Sequence, residues 1–242
     1  MSQSTSSSSS SSASSPVRWV LFDVNETLSD MSHMAGAFEH VGAPGHLSQL
    51  WFAHVLRDGF ALVSVHEQQP FEAVARAALR ALLSRPDVQL SLSVDSAVDS
   101  IIAAFKALPV HADVAPAMQA LQTAGFKLAT LTNGSRSNSE ALLERAGVRA
   151  AFDAVLSVED AETWKPGTNS YNYAVQQLKG ASASEVVLVA VHPWDLHGAH
   201  KAGLRTALLD RAPSPTPYPP FFATPTYTVR DLRELAQQLQ QH

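Results

Sequence analysis

Five short apolar runs set the tightest limit on what this chain can fold into. Residues 17–22, 127–131, 154–157, 186–191 and 205–209 are each four to six residues long. Apolar runs of that length read as strands buried on both faces. Helical patterns separate them, several closed by glycine. Met118 and Leu121 share a face ahead of Gly125; Leu142, Leu143 and Ala146 precede Gly147; Tyr171, Val175 and Leu178 precede Gly180. Strands alternating with helices in this way predict an α/β fold with a Rossmann-like parallel sheet. A short strand near Tyr227 and a helix from about Asp231 should close the core, after a proline-rich loop over 212–225.

Residues 31–108 have a different texture. Three apolar sets there follow helical spacing: Leu47, Leu50, Trp51 and Val55; then Phe71, Val74, Ala78, Leu79 and Leu82; then Val94, Val98, Ile101, Ile102 and Phe105. No convincing strand interrupts them. The expected organisation is a core of 17–30 and 109–242, with 31–108 as a helical cap inserted after the first strand. Ligands of open α/β sheets bind outside the carboxyl ends of the strands, so an insert leaving from that edge would roof a site. Residues 1–16 are almost all serine and are expected to be a disordered tail, having too little apolar surface to offset ordering entropy.

Composition removes several functions. The formal net charge is −5, so no basic face for nucleic acid is expected. There are no cysteines, which excludes disulfides, thiolate catalysis and cysteine-bound zinc. No apolar run approaches membrane-spanning length, and no apolar leader opens the chain. A soluble, cytoplasmic protein is the expectation.

Polar residues gather where the predicted strands end. Asp23, Val24, Asn25, Glu26 and Thr27 follow the first; Thr132, Asn133, Gly134 and Ser135 the second; Trp164, Lys165 and Pro166 lie beyond the third; His192, Pro193, Trp194 and Asp195 follow the fourth. Four strand ends thus bring two carboxylates, a hydroxyl, an amide and an ammonium to one edge: a nucleophile with electrostatic support.

These four segments resemble the motifs of the haloacid dehalogenase superfamily, and within it the L-2-haloacid dehalogenase group, whose usual forms are Asp-x-x-Gly-Thr-Leu, Ser-Asn-Gly-Ser, Tyr-Lys-Pro and Asn-Ala-Trp-Asp. The resemblance spans nearly the whole chain from about Val17. It implies that Asp23 attacks the halogen-bearing carbon of a small haloacid and forms an ester. Thr27 would orient Asp23, and Lys165 would keep it ionised. Asp195 would hold either Lys165 or the water that cleaves the ester. Thr132, with backbone N–H groups at Val24 and Asn25, would take the substrate carboxylate. Asn133 would cradle the halide, and Tyr171 would stand behind the site. A homodimer is implied by the resemblance alone.

Most superfamily members transfer phosphate, and chemistry separates the two activities. An alkoxide leaving phosphorus needs a proton from an acid two residues after the nucleophile; here that residue is Asn25, whereas a halide leaves unaided. Val191 stands where a magnesium-binding carboxylate would be expected. The reading is therefore an enzyme without metal or other cofactor. The sequence also departs from the group. Glu26 replaces a glycine, Phe52 stands after Trp51 where an arginine meets the halogen, and Ala190 and His192 replace polar residues of the fourth motif. We expect His192 and the Trp194 indole N–H to restore part of the lost polarity, with a different haloacid as substrate, a fluorinated one among the candidates.

Plainer roles compete at each position. Asp23 could be a turn residue, Asn133-Gly134 an ordinary turn, Lys165 a solvated loop residue and Thr27 a backbone cap. Tyr171, Trp51 and Phe52 could be core packing, and Arg57, His197 and His200 ordinary helix-surface residues. A phosphatase and a non-catalytic binder of small acids remain as alternative functions.

Overall fold

β1 (Trp19–Phe22) is buried at all four positions, as a strand covered on both faces must be. The computed structural model describes residues 15–214 and 217–241, so the expectation for the serine tract falls outside the described residues, apart from its last two. β1 pairs in parallel with β2 (Lys127–Thr132) on one side and β4 (Val186–Ala190) on the other. β3 (Ala154–Ser157), β5 (Arg205–Leu209) and β6 (Tyr227–Val229) complete a six-stranded parallel sheet in the order β3-β2-β1-β4-β5-β6. The chain therefore reverses its direction of growth across the sheet at β1. That crevice, outside the carboxyl ends of the strands, is where open α/β sheets bind ligands.

Alternation along the strands divides the core in two. Val20, Phe22, Leu128, Val187 and Val189 face α5 (Val114–Thr123), α6 (Arg136–Arg145) and α9 (Leu232–Gln240). Leu21, Ala129, Leu131 and Leu188 face α7 (Thr168–Gln177) and α8 (Pro193–Lys201). Each large apolar side chain so buried contributes about 1.5–3 kcal/mol. Gly125 and Gly147 follow α5 and α6 with φ of +87° and +69°, the left-handed backbone that the glycine signals predicted.

Four helices lie between β1 and α5: α1 (Met34–His40), α2 (Leu47–Ser64), α3 (Phe71–Leu83) and α4 (Val94–Lys106). The last three match the spaced apolar sets; α1 was not foreseen. Trp51 ties α2 to α3 by donating its indole N–H to the Ala75 carbonyl at 3.0 Å. The chain leaves and rejoins the sheet side by side. Ser29 bridges Val110 in antiparallel fashion. The Asp30 N–H meets the Pro109 carbonyl at 2.8 Å, and the His111 N–H meets that of Leu28 at 2.9 Å. The inner faces of these helices merge with the α7–α8 side of the sheet. Gly59 of α2 lies so close to Trp164 that an added Cβ would come within 2.2 Å of the ring. Trp164 in turn donates to the Gln69 carbonyl at 3.0 Å and stacks on Phe71, so the loop carrying Lys165 is wedged into the inserted helices. Among the described residues no helix is long and apolar enough to cross a membrane.

Candidate active site

Asp23 is one residue beyond the end of β1, and its N–H still bonds to the Val189 carbonyl of β4 at 3.0 Å. That fixes its Cα at the crevice, and the next turn supplies its first partner. Thr27 donates its hydroxyl to Asp23 Oδ2 at 2.7 Å while accepting the Val191 N–H at 3.2 Å, so it orients the carboxylate and caps the backbone at once. The other oxygen, Oδ1, accepts from Lys165 Nζ at 2.7 Å. Lys165 is fully buried and reaches Asp195 Oδ2 at 2.6 Å, so one ammonium joins two buried carboxylates. A buried charge without such partners would be prohibitively costly.

Asn133 holds the ammonium's backbone in place. Its Oδ1 accepts the Lys165 N–H at 2.8 Å, and its Nδ2 donates to the Lys165 carbonyl at 3.2 Å. Asp195 sits in the first turn of α8 and is gripped from behind by the Tyr171 hydroxyl, 2.7 Å from Oδ1. Gly198, one turn along α8, leaves the space that Tyr171 needs: a Cβ there would come within 2.6 Å of the phenol oxygen.

The charges settle unevenly. Burial alone would raise Asp23, but the Lys165 charge and contact with His192 outweigh it and hold the carboxyl well below the usual range. Burial pulls Lys165 down, yet Asp195 and Asp23 leave it above its ordinary value. Asp195 is raised, burial prevailing over its pairing with Lys165. Burial likewise keeps the Tyr171 phenol protonated, far above its usual pKa.

His192 closes the cluster on its solvent side. Nε2 donates to Glu26 Oε2 at 2.6 Å, and Nδ1 lies 3.4 Å from Asp23 Oδ2 without a hydrogen bond of good alignment. Burial lowers its pKa, but the two carboxylates reverse this and raise it to about 9. Its ring stacks on Trp194 at 5.1 Å, and Phe52 of α2 lies 6.4 Å away. Glu26 and His192 also line a cavity of about 750 Å³ with Met31, Met34, Phe52 and Tyr218.

A family model described as haloacid dehalogenase-like hydrolase matches residues 17–203. The chain belongs to that family. It is 29% identical over 221 residues to (S)-2-haloacid dehalogenase 4A of Burkholderia cepacia, spanning 90% of this chain and 93% of that one. It is 30% identical over 198 residues to (S)-2-haloacid dehalogenase of Xanthobacter autotrophicus, spanning 81% and 76%. A crystal structure of a dehalogenase with an intermediate complex superposes with a TM-score of 0.84 at 28% identity, covering 93% of this chain and 98% of that one.

For a haloacid dehalogenase-like hydrolase read first as sequence, several positions need revision. The Asn133 amide is committed to the Lys165 backbone, so it clamps that loop in place of the expected halide contact. Tyr171 is fully buried behind Asp195, the supporting place expected of it, and its place among the substrate contacts is what changes. Trp194 stacks its ring on His192 and meets Phe60 at a steep angle. Asp195 holds Lys165, one of the two roles left open for it. Thr132 is buried at the strand end, accepting the Gly134 N–H at 2.9 Å, and Phe52 lies beside His192. Arg57 is exposed and pairs with its neighbour Asp58. The sequence reading did not select Glu26 as a site residue, although its replacement of a glycine was the available signal. It takes a φ of +63°, a conformation that costs a residue with a Cβ about 1 kcal/mol.

Proposed function

We propose that the protein hydrolyses the carbon–halogen bond of a small 2-haloacid through an ester on Asp23. The observation that carries this reading is a buried carboxylate held ionised by Lys165 and aimed by Thr27. An Asp23 oxygen attacks Cα from the face opposite the halogen, and the C–X electron pair leaves as halide. Water then adds to the Asp23 Cγ and expels the hydroxyacid, so the net reaction releases halide and one proton. Thr132 and the N–H groups of Val24 and Asn25 are the proposed seat of the substrate carboxylate; among the described residues those two N–H groups have no protein partner. Residues 31–108 are the proposed cap over it, with Phe52 its contribution to the wall.

The similar enzymes named (S)-2-haloacid dehalogenase support this substrate class. Asn25 argues against phosphoryl transfer, having no acidic proton for an alkoxide. The reaction is proposed to need no metal. The slot between Asp23 and Asp195 is filled by the Lys165 ammonium, and among the described residues no cluster of three or more histidines and carboxylates is placed to hold an ion. The test is single turnover of 2-chloropropionate in heavy-oxygen water. The label should enter the Asp23 carboxylate before it enters product, and Asp23→Asn should release no halide. Label appearing directly in the hydroxyacid would overturn the aspartyl route.

A further inference from the structure

Building on that reading of Asp23, we infer that His192 is the general base that activates water against the Asp23 ester, and that Glu26 is the positioning residue that orients it by holding its Nε2 proton. Three observations carry this. His192 Nδ1 is buried, has no hydrogen-bond partner, and stands 3.4 Å from Asp23 Oδ2. Native proteins rarely leave such an atom unpaired, and a site for an incoming water explains it. The opposite ring nitrogen is tied to Glu26 at 2.6 Å, which fixes the ring's orientation and leaves Nδ1 as the working atom. Glu26 holds that carboxylate in place from a left-handed backbone conformation, in a motif whose relatives use glycine there; strain of this kind persists where surrounding contacts enforce it and gathers at active sites.

The geometry also separates this role from the first step. A nucleophile and its leaving group lie on opposite sides of the reacting carbon. His192 is on the nucleophile's side, beside the carboxylate that becomes the ester.

The proton balance closes. In the resting enzyme His192 faces Asp23 from β1 and Glu26 from the following turn, with Phe52 of α2 and Trp194 of α8 as its uncharged neighbours. Lys165 and Asp195 act on it only through Asp23. Two carboxylates hold the imidazole protonated. Esterification converts Asp23 from an anion to a neutral acyl group, so one of those two charges disappears as halide departs. His192 then gives its Nδ1 proton to solvent in the adjoining cavity, while Nε2 keeps its proton on the Glu26 carboxylate. Neutral His192 takes a proton from water at Nδ1 as the water oxygen bonds to Cγ. The tetrahedral centre collapses, the Cγ–O bond to the substrate carbon breaks, and the alkoxide is protonated by His192. The Asp23 carboxylic acid finally returns its proton to His192, restoring the ion pair. One water is consumed, and one proton and one halide are released.

Rapid-quench kinetics on the full chain with 2-chloropropionate test the assignment, following halide, hydroxyacid and the mass of the Asp23 peptide. Wild type should form halide and hydroxyacid in step. His192→Gln should release a burst of one halide per site at a near wild-type rate, accumulate the Asp23 ester, and form hydroxyacid at least 100-fold more slowly. Glu26→Gly, which relaxes the backbone while removing the carboxylate, should fold at least as well as wild type. It should slow hydrolysis about 10-fold and move the pH limb of ester hydrolysis to lower pH. A halide burst that slows together with turnover in His192→Gln, with no ester trapped, would assign His192 to the first step and overturn the inference. Unchanged ester hydrolysis in Glu26→Gly would remove Glu26 from it. A wild-type enzyme that never labels Asp23 would instead refute the covalent route itself, a distinct failure.

Discussion

Raising the pH from 6.5 to 9 should weaken the fold by discharging His192. Its pKa in the folded protein is about 9, against 6.5 for the free side chain. The folded state binds this proton more tightly than the unfolded state. The stabilisation is therefore fully present below pH 6.5 and is lost as the pH climbs through 9. A gap of about 2.5 units at about 1.4 kcal/mol each sets a ceiling of about 3 kcal/mol. The side chain of Glu26 is 41% exposed, so solvent screens its share, and a loss of about 1–2 kcal/mol is the expected result. Urea unfolding of wild type and His192→Gln at pH 6, 7, 8 and 9 measures it. The stability difference between the two proteins should shrink by that amount across the series. A difference that stays constant with pH would refute the placement of a charged imidazole between two carboxylates.

Two further substitutions probe the buried ion cluster. Lys165→Met leaves Asp23 and Asp195 buried without their shared cation, which should cost about 3–5 kcal/mol in thermal or urea unfolding. It should also carry the acid limb of halide release to higher pH, because Asp23 then gains a proton more readily. An unmoved limb would show that Lys165 does not set the ionisation of Asp23. Gly198→Ala forces a methyl group to within 2.6 Å of the Tyr171 hydroxyl and should displace it from Asp195. We expect a loss of about 1–3 kcal/mol and a fall in kcat larger than any change in KM, and Tyr171→Phe combined with it should recover part of the stability.

The sheet was legible because its strands are short and buried on both faces, which leaves an apolar signature that no amphipathic helix of similar length shares. The inserted helices α2 to α4 were legible for the complementary reason, one apolar stripe each. α1 was not, since its seven residues include Gly36 and close on His40, giving no periodic run to detect. At the site, local sequence located Asp23, Thr27, Lys165 and Asp195, because each follows directly from a strand end or a short motif. What it could not supply was pairing at long range. The Asn133 amide looks like half of an ordinary turn until Lys165 is seen folded against it. Glu26 and His192 are 166 positions apart, and nothing local to either announces the other. Their departures from the family pattern come as a pair: an acid where glycine is usual and a base where a neutral residue is usual.

The doorway formed by Ser29 and Val110 has a consequence for how this architecture can diversify. Because the outgoing and incoming strands are zipped together, the sheet experiences everything between them as the tip of one long hairpin, however many helices that tip contains. Closure entropy grows only logarithmically with loop length, each doubling adding about 0.6 kcal/mol. Whole helices could therefore be exchanged at this threshold for little thermodynamic cost to the strands, and the roof above the carboxylate can change its shape while the floor beneath it keeps its register.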